Sequence, residues 1–509
     1  MNRQISRLAL FTLVLLSSLV VATTYWQVWA APGLADRQDN EIQRVAQFEI
    51  RRGLILAANG STVLAANTQR KVGPQTLYFR RYPRGGFAAQ TIGYSTQSRS
   101  RAGLERELNA YLTASNKNLG TIVDTLGDRL RGTTITGNDV VLNLRLRPQQ
   151  VAQALLQGKC GAAVALNPKT GAVYAMASSP TYDQNLIERQ NGYERIQRTQ
   201  AECAPSAPFL NRATQGLYPP GSIFKAVTAV AALESGDFTP ESRFDDPGYC
   251  IQYGKPVYNA GNHDMSGPSA WGSVNLFTAF EHSINSVFCN IGQRLGAGAV
   301  LDQARRFGFY SVPPLETPAG ERSASGLFRS GTRRLFEPEN PNTDVDPGRL
   351  AFGQERLLVT PLQMAMVAGA IANEGVVMKP RVVNRIVSPG GDVVVRTRPQ
   401  RHSQAMKPGT AEAVASMMVA AVESGTGRNA QIPGVSVGGK TGTAETGRPG
   451  VYHTWFIFFA PADDPVVAGA VVVESQPNGF GGTVAAPIAK AIMEAILPET
   501  SNAETREEP

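Results

Sequence analysis

The sequence predicts an α+β fold of the α/β-sandwich kind. A five-stranded, mainly antiparallel sheet should be covered by helices, behind a membrane-spanning helix and a separate N-terminal domain. Three observations predict it. One uncharged apolar stretch opens the chain. Turn-flanked apolar runs of strand length cluster near residue 165 and again after 436. Ala- and Val-rich stretches of helical length lie between and after them.

Composition bounds the function. At about 150 residues per domain, 509 residues allow roughly three units. Hydrophobic residues make up 42% and charged residues 18%, which excludes disorder over most of the chain. The net charge of +8 is spread thinly, with no run of five like charges and no interleaving of aromatic with basic residues. No nucleic-acid partner is therefore expected. Cys160, Cys203, Cys250 and Cys289 form no C-x-x-C pair, and the four His no H-E-x-x-H, so neither metal nor cofactor is expected.

The first element is the span Leu8 to Trp29. No charge falls between Arg7 and Asp36, and the stretch meets the roughly 20 apolar residues needed to cross a bilayer. Arg3 and Arg7 precede it, and Tyr25, Trp26 and Trp29 sit at its far end. That asymmetry puts residues 1–7 in the cytoplasm and residues 36–509 outside. A cleaved signal peptide is the alternative. It would need Val28-Trp29-Ala30 as a poor cleavage site, and its apolar core would exceed the usual 7–15 or so residues. Either way the four Cys reach a compartment that permits disulfides. Three pairings are open, beside buried free thiols.

Residues 36–150 read as a first domain. Arg52 to Gly60 gives a short strand and turn, and Val63-Leu64-Ala65 resumes the apolar run. Arg80, Arg81, Arg84, Arg99, Arg101 and Arg106 read as a solvated surface. Residues 151–498 form the larger domain. Ala162–Leu166 and Val173–Met176 flank the turn Asn167-Pro168-Lys169-Thr170-Gly171 as a hairpin. Three more strands follow at Ser436–Glu445, His453–Ala460 and Val466–Glu474, then a helix over Ala485–Leu497. Trp455–Phe459 and Val466–Val473 are apolar on both faces, so helices should cover both sides. The polar tail 499–509 is expected to be disordered.

Three short motifs carry chemistry. In Tyr218-Pro219-Pro220-Gly221-Ser222-Ile223-Phe224-Lys225, prolines and a glycine open an Ala/Val-rich run that ends near Gly236. Ser222 then lies in a first helical turn, with Lys225 on the same face at i+3. A Ser hydroxyl needs a neighbouring base, and a Lys serves if desolvation and a nearby cation keep it neutral. Alone, S-x-x-K should occur by chance about twice in such a chain. Ser283-Ile284-Asn285 offers a hydroxyl to relay a proton and an amide to hold a peptide group. Lys440-Thr441-Gly442-Thr443 on an edge strand offers a cation, two hydroxyls and a Gly that admits a ligand to the backbone. His263, His282 and His453 could line a site, but read first as surface or structural residues.

The three motifs, in this order, resemble the S-x-x-K, S-x-N and K-T-G set of penicillin-interacting serine enzymes. Arg52-Gly53-Leu54-Ile55 with Asn59-Gly60 and Leu64-Ala65 looks like a segment of class B penicillin-binding proteins. So do Gly103-Leu104-Glu105, Asn167 to Asp183, Gly353-Gln354, Thr360 to Ala365 and Asn373-Glu374-Gly375. The resemblance is nearest to the actinobacterial elongation-type peptidoglycan transpeptidases. Ala57-Ala58 departs from the D-R that many members carry before N-G.

The resemblance implies an elongated, dimerisation-like pedestal over 36–150 and a D,D-transpeptidase over 151–498. Ser222 would attack the penultimate D-Ala carbonyl of a stem peptide, and β-lactams would acylate it. Lys225 would take its proton, Ser283 would pass a proton to the leaving amine, and Lys440 would hold the protonation states of both. Asn285 would bind a stem amide, and Thr441 and Thr443, spaced by Gly442, the terminal carboxylate. The N–H groups of Ser222 and Thr443 would form the oxyanion hole. A SEDS-type membrane glycosyltransferase would be the partner, met by residues 8–150. The rival readings are a β-lactamase or sensor, for which neither Glu281 nor Glu445 is an evident deacylating base, and a non-catalytic scaffold.

Overall fold

The computed structural model describes residues 2–30, 47–73, 75–97, 101–115, 119–131, 134–259 and 270–504. Helix α1, Asn2–Thr24, runs into one wider turn over Tyr25–Ala30. Its 23 residues measure about 35 Å at the α-helical rise, enough for a hydrocarbon core of about 30 Å. Its apolar side chains, Leu8, Phe11, Leu15 and Leu19 among them, are exposed.

The N-terminal domain is built on β1 (Ile55–Leu56), β2 (Val63–Val72), β3 (Gln75–Arg81) and β4 (Asp139–Leu142). The Asn59 side chain accepts from Thr62 N at 3.0 Å and closes the β1–β2 turn. The turn therefore survives Ala57-Ala58. The sheet does not end at β4. Strands Val383–Val387 and Val393–Arg396 extend it, giving the order 393–396, 383–387, β4, β1, β2, β3. The boundary read at residue 150 thus separates the chain in sequence but not in space. An uncovered β4 edge would expose unpaired N–H and C=O groups, and the distant hairpin pairs them. Asn143 fixes that crossing through Nδ2, which donates to the carbonyls of Arg381 and Val383.

Helix α2, Gly103–Glu107, carries a buried carboxylate. Glu105 accepts from Arg52 Nε at 2.8 Å and from Arg80 Nε. Burial alone would raise the Glu105 carboxyl, but the charges of Arg80 and Arg52 outweigh it and hold the group below its ordinary value. This corrects the reading of Arg80 as solvated, since its side chain is only 2% exposed. Arg81, Arg84 and Arg106 are exposed as expected, and Arg99 lies outside the described residues.

The second sheet begins after helix α3 (Leu146–Leu155), with β5 (Gly161–Leu166) and β6 (Val173–Ser179). Then come helices α4 (Lys225–Ser235), α5 (Leu276–Glu281), α6 (Asn285–Arg306), α7 (Pro361–Ile371) and α8 (Pro408–Glu423). Strands β7 (Gly438–Glu445), β8 (Val451–Ala460) and β9 (Val467–Pro477) and helix α9 (Gly481–Glu504) close the described chain. The sheet order is β7-β8-β9-β5-β6, and every neighbouring pair is antiparallel.

Strand alternation splits the core. Trp455, Ile457, Phe459, Ala470 and Val472 face one way and join the core of α7, in which Leu362, Met364 and Met366 are buried. Phe456, Phe458, Val471 and Val473 face the other way, with Ile492, Met493 and Ile496 of α9. Each such side chain contributes about 1.5–3 kcal/mol on burial. Apart from Gln363, helix α7 is apolar all round, as a helix enclosed on every side should be. Its start is set by Pro361 and by Thr360, whose Oγ1 accepts from Gln363 N at 3.1 Å.

Helix α9 runs to Glu504, past its expected end and into the tail read as disordered. Residues 498–504 contain no Gly or Pro after Pro498, so the helical ladder is not broken there. Residues 505–509 lie outside the described set. The cysteines pair as Cys160–Cys203 and Cys250–Cys289, which leaves none free.

Candidate active site

Ser222 lies in a single 3-10 turn, Gly221–Phe224, that leads directly into α4, with Lys225 as its first residue. The turn is pinned on both sides. Trp455 Nε1 donates to the Pro219 carbonyl at 3.0 Å, and Gly221 N donates to the Gly353 carbonyl at 3.1 Å. Gly221 has φ +54°, and a Cβ there would lie 3.0 Å from the Thr443 carbonyl. The glycine thus supplies both the left-handed backbone and the close approach to β7. Gly236, φ +81°, ends α4 where the sequence predicts.

Ser283 joins α5 to α6 in a left-handed conformation, φ +59°. That bend turns its carbonyl and its hydroxyl toward α4. Lys225 Nζ donates to Ser283 O at 2.7 Å and Asn285 Oδ1 at 2.7 Å, and lies 3.2 Å from Ser283 Oγ. Asn285 Nδ2 in turn donates to the Tyr258 carbonyl at 2.9 Å. From the opposite side Lys440 Nζ donates to Ser283 Oγ at 2.8 Å.

Both lysines are fully buried. They lie near aromatic faces, Lys225 Nζ 5.3 Å from the Phe288 centroid and Lys440 Nζ 5.6 Å from that of Phe280. Burial, and then the charge of Lys440, push the Lys225 amine well below its ordinary value. Burial pulls Lys440 down to about 7. Two ammonium groups cannot share so small a dry volume without mutual penalty, so one amine is favoured to be neutral.

Strand β7 forms the opposite wall. It is an edge strand, as expected, and pairs only with β8. Gly442 stands opposite Trp455, and a Cβ on it would lie 2.9 Å from both the Pro220 carbonyl and Ile223 Cγ2. Thr441 Oγ1 shares a 2.7 Å hydrogen bond with Thr426 Oγ1, and Thr443 Oγ1 accepts from Gly481 N at 3.3 Å.

These walls enclose a cleft of about 510 Å3. Ser222, Ser283, Asn285, Thr441 and Thr443 line it, and Lys225 and Lys440 lie behind its surface. Residues from three distant segments therefore meet around one serine. His282 also lines the cleft and stacks on Trp271 with centroids 4.3 Å apart, the second of the two roles its sequence left open. His453 packs edge-on against Tyr218, just before the serine turn, and His263 lies outside the described residues. Thr426 and Arg428 line the cleft from a Gly-rich turn in which the sequence offers no telling spacing. Among the described residues no Asp or Glu lines it, and no His/Cys/Asp/Glu group suits a metal.

Residues 161–494 match the penicillin binding protein transpeptidase domain. The chain belongs to that family. Residues 52–140 match the penicillin binding protein A dimerisation domain, which places this penicillin-binding protein in the PbpA-like, class B group. It is 33% identical to the peptidoglycan D,D-transpeptidase PbpA of Mycolicibacterium smegmatis, over 98% of this chain and 100% of that one. It is 32% identical to PbpA of Mycobacterium tuberculosis, over 98% of this chain and 99% of that one. A penicillin G acyl-enzyme structure of penicillin-binding protein A from M. tuberculosis superposes with a TM-score of 0.76 at 31% identity, covering 88% of this chain and 100% of that one.

Proposed function

We propose that this peptidoglycan D,D-transpeptidase works through an acyl-enzyme on Ser222. The observation that carries the reading is the placement of two buried lysines on one hydroxyl, Ser283 Oγ, behind a cleft that Ser222 lines. Ser222 Oγ attacks the carbonyl of the penultimate D-Ala of a stem peptide. The Oγ–C bond forms, and the Ser222 proton passes to neutral Lys225. The C–N bond then breaks as the proton taken up by Lys225 passes through Ser283 to the departing D-Ala amine, while charged Lys440 holds the relay in place. An amine of a second stem attacks the ester, forms the cross-link and returns the proton to Ser222. A β-lactam follows the first half alone, since its ring opens without releasing a fragment.

The other roles follow from placement. The N–H of Ser222 lies in a first turn with no intrahelical acceptor, and Thr443 lies on an edge strand where alternate N–H groups are unpaired. Together they hold the oxyanion, at about 3 kcal/mol per donor. Thr441 and Thr443 hold the terminal carboxylate, and Gly442 lets it reach the strand. Asn285 binds a stem amide. No metal or cofactor enters this scheme.

The cleft supports transfer over β-lactam hydrolysis, because among the described residues it offers no carboxylate to activate water. The division into pedestal 36–150 and catalytic domain 151–498 is supported by the two family matches, and the anchor 8–29 after a tail 1–7 by a helix long and apolar enough to cross a membrane. Arg3 and Arg7 support a cytoplasmic N-terminus. Residues 8–150 would meet a SEDS-type membrane glycosyltransferase.

The deciding experiment treats the ectodomain, residues 36–509, with fluorescent penicillin and maps the adduct by peptide mass spectrometry. A long-lived adduct on Ser222, absent from a folded Ser222→Ala variant, is expected. Full acylation of Ser222→Ala overturns the assignment, and rapid loss of label with drug turnover marks a β-lactamase instead.

A further inference from the structure

The charge balance of the cleft is lopsided. Among the described residues that line it, Arg428 is the only Lys or Arg, and no Asp or Glu is present. Lys225 and Lys440 do not make good this scarcity, because both are buried behind the cleft surface and Lys440, the charged one in the proposed scheme, is spent on Ser283 Oγ. Thr441 and Thr443 can hold a carboxylate only as dipoles. A substrate that ends in a carboxylate therefore meets one permanently charged group on its way in.

Arg428 is also held where that group is useful. It begins a short 3-10 turn, Arg428–Ala430, after the segment Ser424-Gly425-Thr426-Gly427. That segment and the turn after it are tied down at four places. Ser424 Oγ donates to Glu281, the residue before His282 and Ser283. A Cβ on Gly425 would lie 2.3 Å from the Glu281 carbonyl, so the turn is seated against α5. Thr426 Oγ1 bonds Thr441 Oγ1 at 2.7 Å, which sets the segment beside the proposed carboxylate site. Asn429 Nδ2 donates to the Gly482 carbonyl at 2.7 Å and anchors the far side to α9. The guanidinium itself donates to the Ser424 carbonyl. Among the described residues it meets no carboxylate, so its charge and its remaining donors are uncommitted. Arg428 further belongs to a second groove of about 520 Å3 that also holds Lys490, so it stands on the ridge between the two hollows.

We propose that Arg428 is a specificity residue that captures carboxylate-ended stem peptides at the rim and delivers them to Thr441 and Thr443. The proposal rests on the reading of Ser222 as the acylated nucleophile. An exposed guanidinium acts by steering and by bidentate hydrogen bonds to a carboxylate. Its effect belongs to capture rather than to the chemical step, and salt should screen it.

The test compares two acyl donors on the ectodomain, a benzoyl-D-alanyl thioester ending in a free carboxylate and its methyl ester. In Arg428→Ala the second-order acylation rate constant for the carboxylate donor is expected to fall about tenfold at low salt. The gap should close at high salt, the limiting first-order rate should stay within twofold, and the ester should react as with the unaltered protein. Arg428→Lys should recover part of the loss. An unchanged rate for the carboxylate donor overturns the proposal. An equal fall for both donors also overturns it, since it marks a merely structural role. Ser222→Ala run alongside separates the two levels, because labelling of that variant defeats the Ser222 reading whatever Arg428 does.

Discussion

Ser283 Oγ accepts from Lys440 Nζ at 2.8 Å and lies 3.2 Å from Lys225 Nζ, so one hydroxyl bridges two buried amines. The amines are coupled and titrate as a pair. In the proposed scheme the working state has Lys225 neutral and Lys440 charged. Acylation should rise with pH as Lys225 loses its proton and fall near pH 7 as Lys440 loses its own. Stopped-flow acylation across pH 5–9 or so reads this bell. In Lys440→Gln the falling limb should vanish and the rate drop by roughly 10²-fold. A profile that keeps that limb would remove Lys440 from the role.

The same burial has a stability signature. Lys440 moves from 10.5 in the unfolded chain to about 7 in the folded protein. Between those values the unfolded chain binds the extra proton, so this group's contribution to stability rises with pH across that window. Below about 7 the full penalty is present, and above 10.5 it is gone. Lys440→Met should therefore be more stable than the unaltered protein near pH 7, and the advantage should shrink by pH 9.5 or so. Urea unfolding at the two pH values decides it, and a constant difference would contradict the buried amine.

Gly442→Val should slow acylation with little unfolding. Its first side-chain carbon would lie 2.9 Å from the Pro220 carbonyl, which precedes Ser222 by two residues. Overpacking of this kind costs about 1–3 kcal/mol, and here it displaces the nucleophile. A penicillin acylation rate equal to that of the unaltered protein would show that the turn gives way freely.

Glu105→Ala should destabilise the N-terminal domain by about 3–5 kcal/mol, since it strands two buried guanidinium groups. The cleft lies elsewhere, so acylation of the remaining folded protein should keep its rate. Denaturation followed by tryptophan-independent circular dichroism, with acylation in parallel, separates the effects.

Breaking Cys160–Cys203, by paired change to Ser, should cost up to about 4 kcal/mol for a sequence separation of 43. Arg212 feels it first, because it donates to the Ser206 and Ala207 carbonyls just after Cys203 and to Glu474, which also accepts from Tyr218 OH. An undiminished denaturation midpoint would show that these bonds alone hold the loop.

The proposed catalytic centre was the most legible part of the chain. Ser222, Ser283 and Lys440 sit in short patterns whose residue types are dictated by chemistry, and β8 declares itself by unbroken apolarity. What escaped notice depends on long-range pairing. Val383–Val387 reads as a strand in any sheet, and nothing local assigns it to β4. Arg80 looks like any surface arginine until Glu105, 25 positions away, is folded beneath it. Four cysteines carry no pairing rule. Arg428 escaped because a polar Gly-rich turn looks alike whether or not a cleft opens beside it.

The crossing hairpin also has a mechanical meaning. Because 383–396 is woven into the pedestal sheet, the catalytic head does not ride on a single flexible strut. A push on the pedestal from below would be felt as rotation of the head, the way a handle turns a blade. Cutting the chain at 150 to liberate a soluble head would leave that hairpin with a bare edge and invite sticking between copies. A surrogate for drug screening should therefore keep residues 47 onward, pedestal and all.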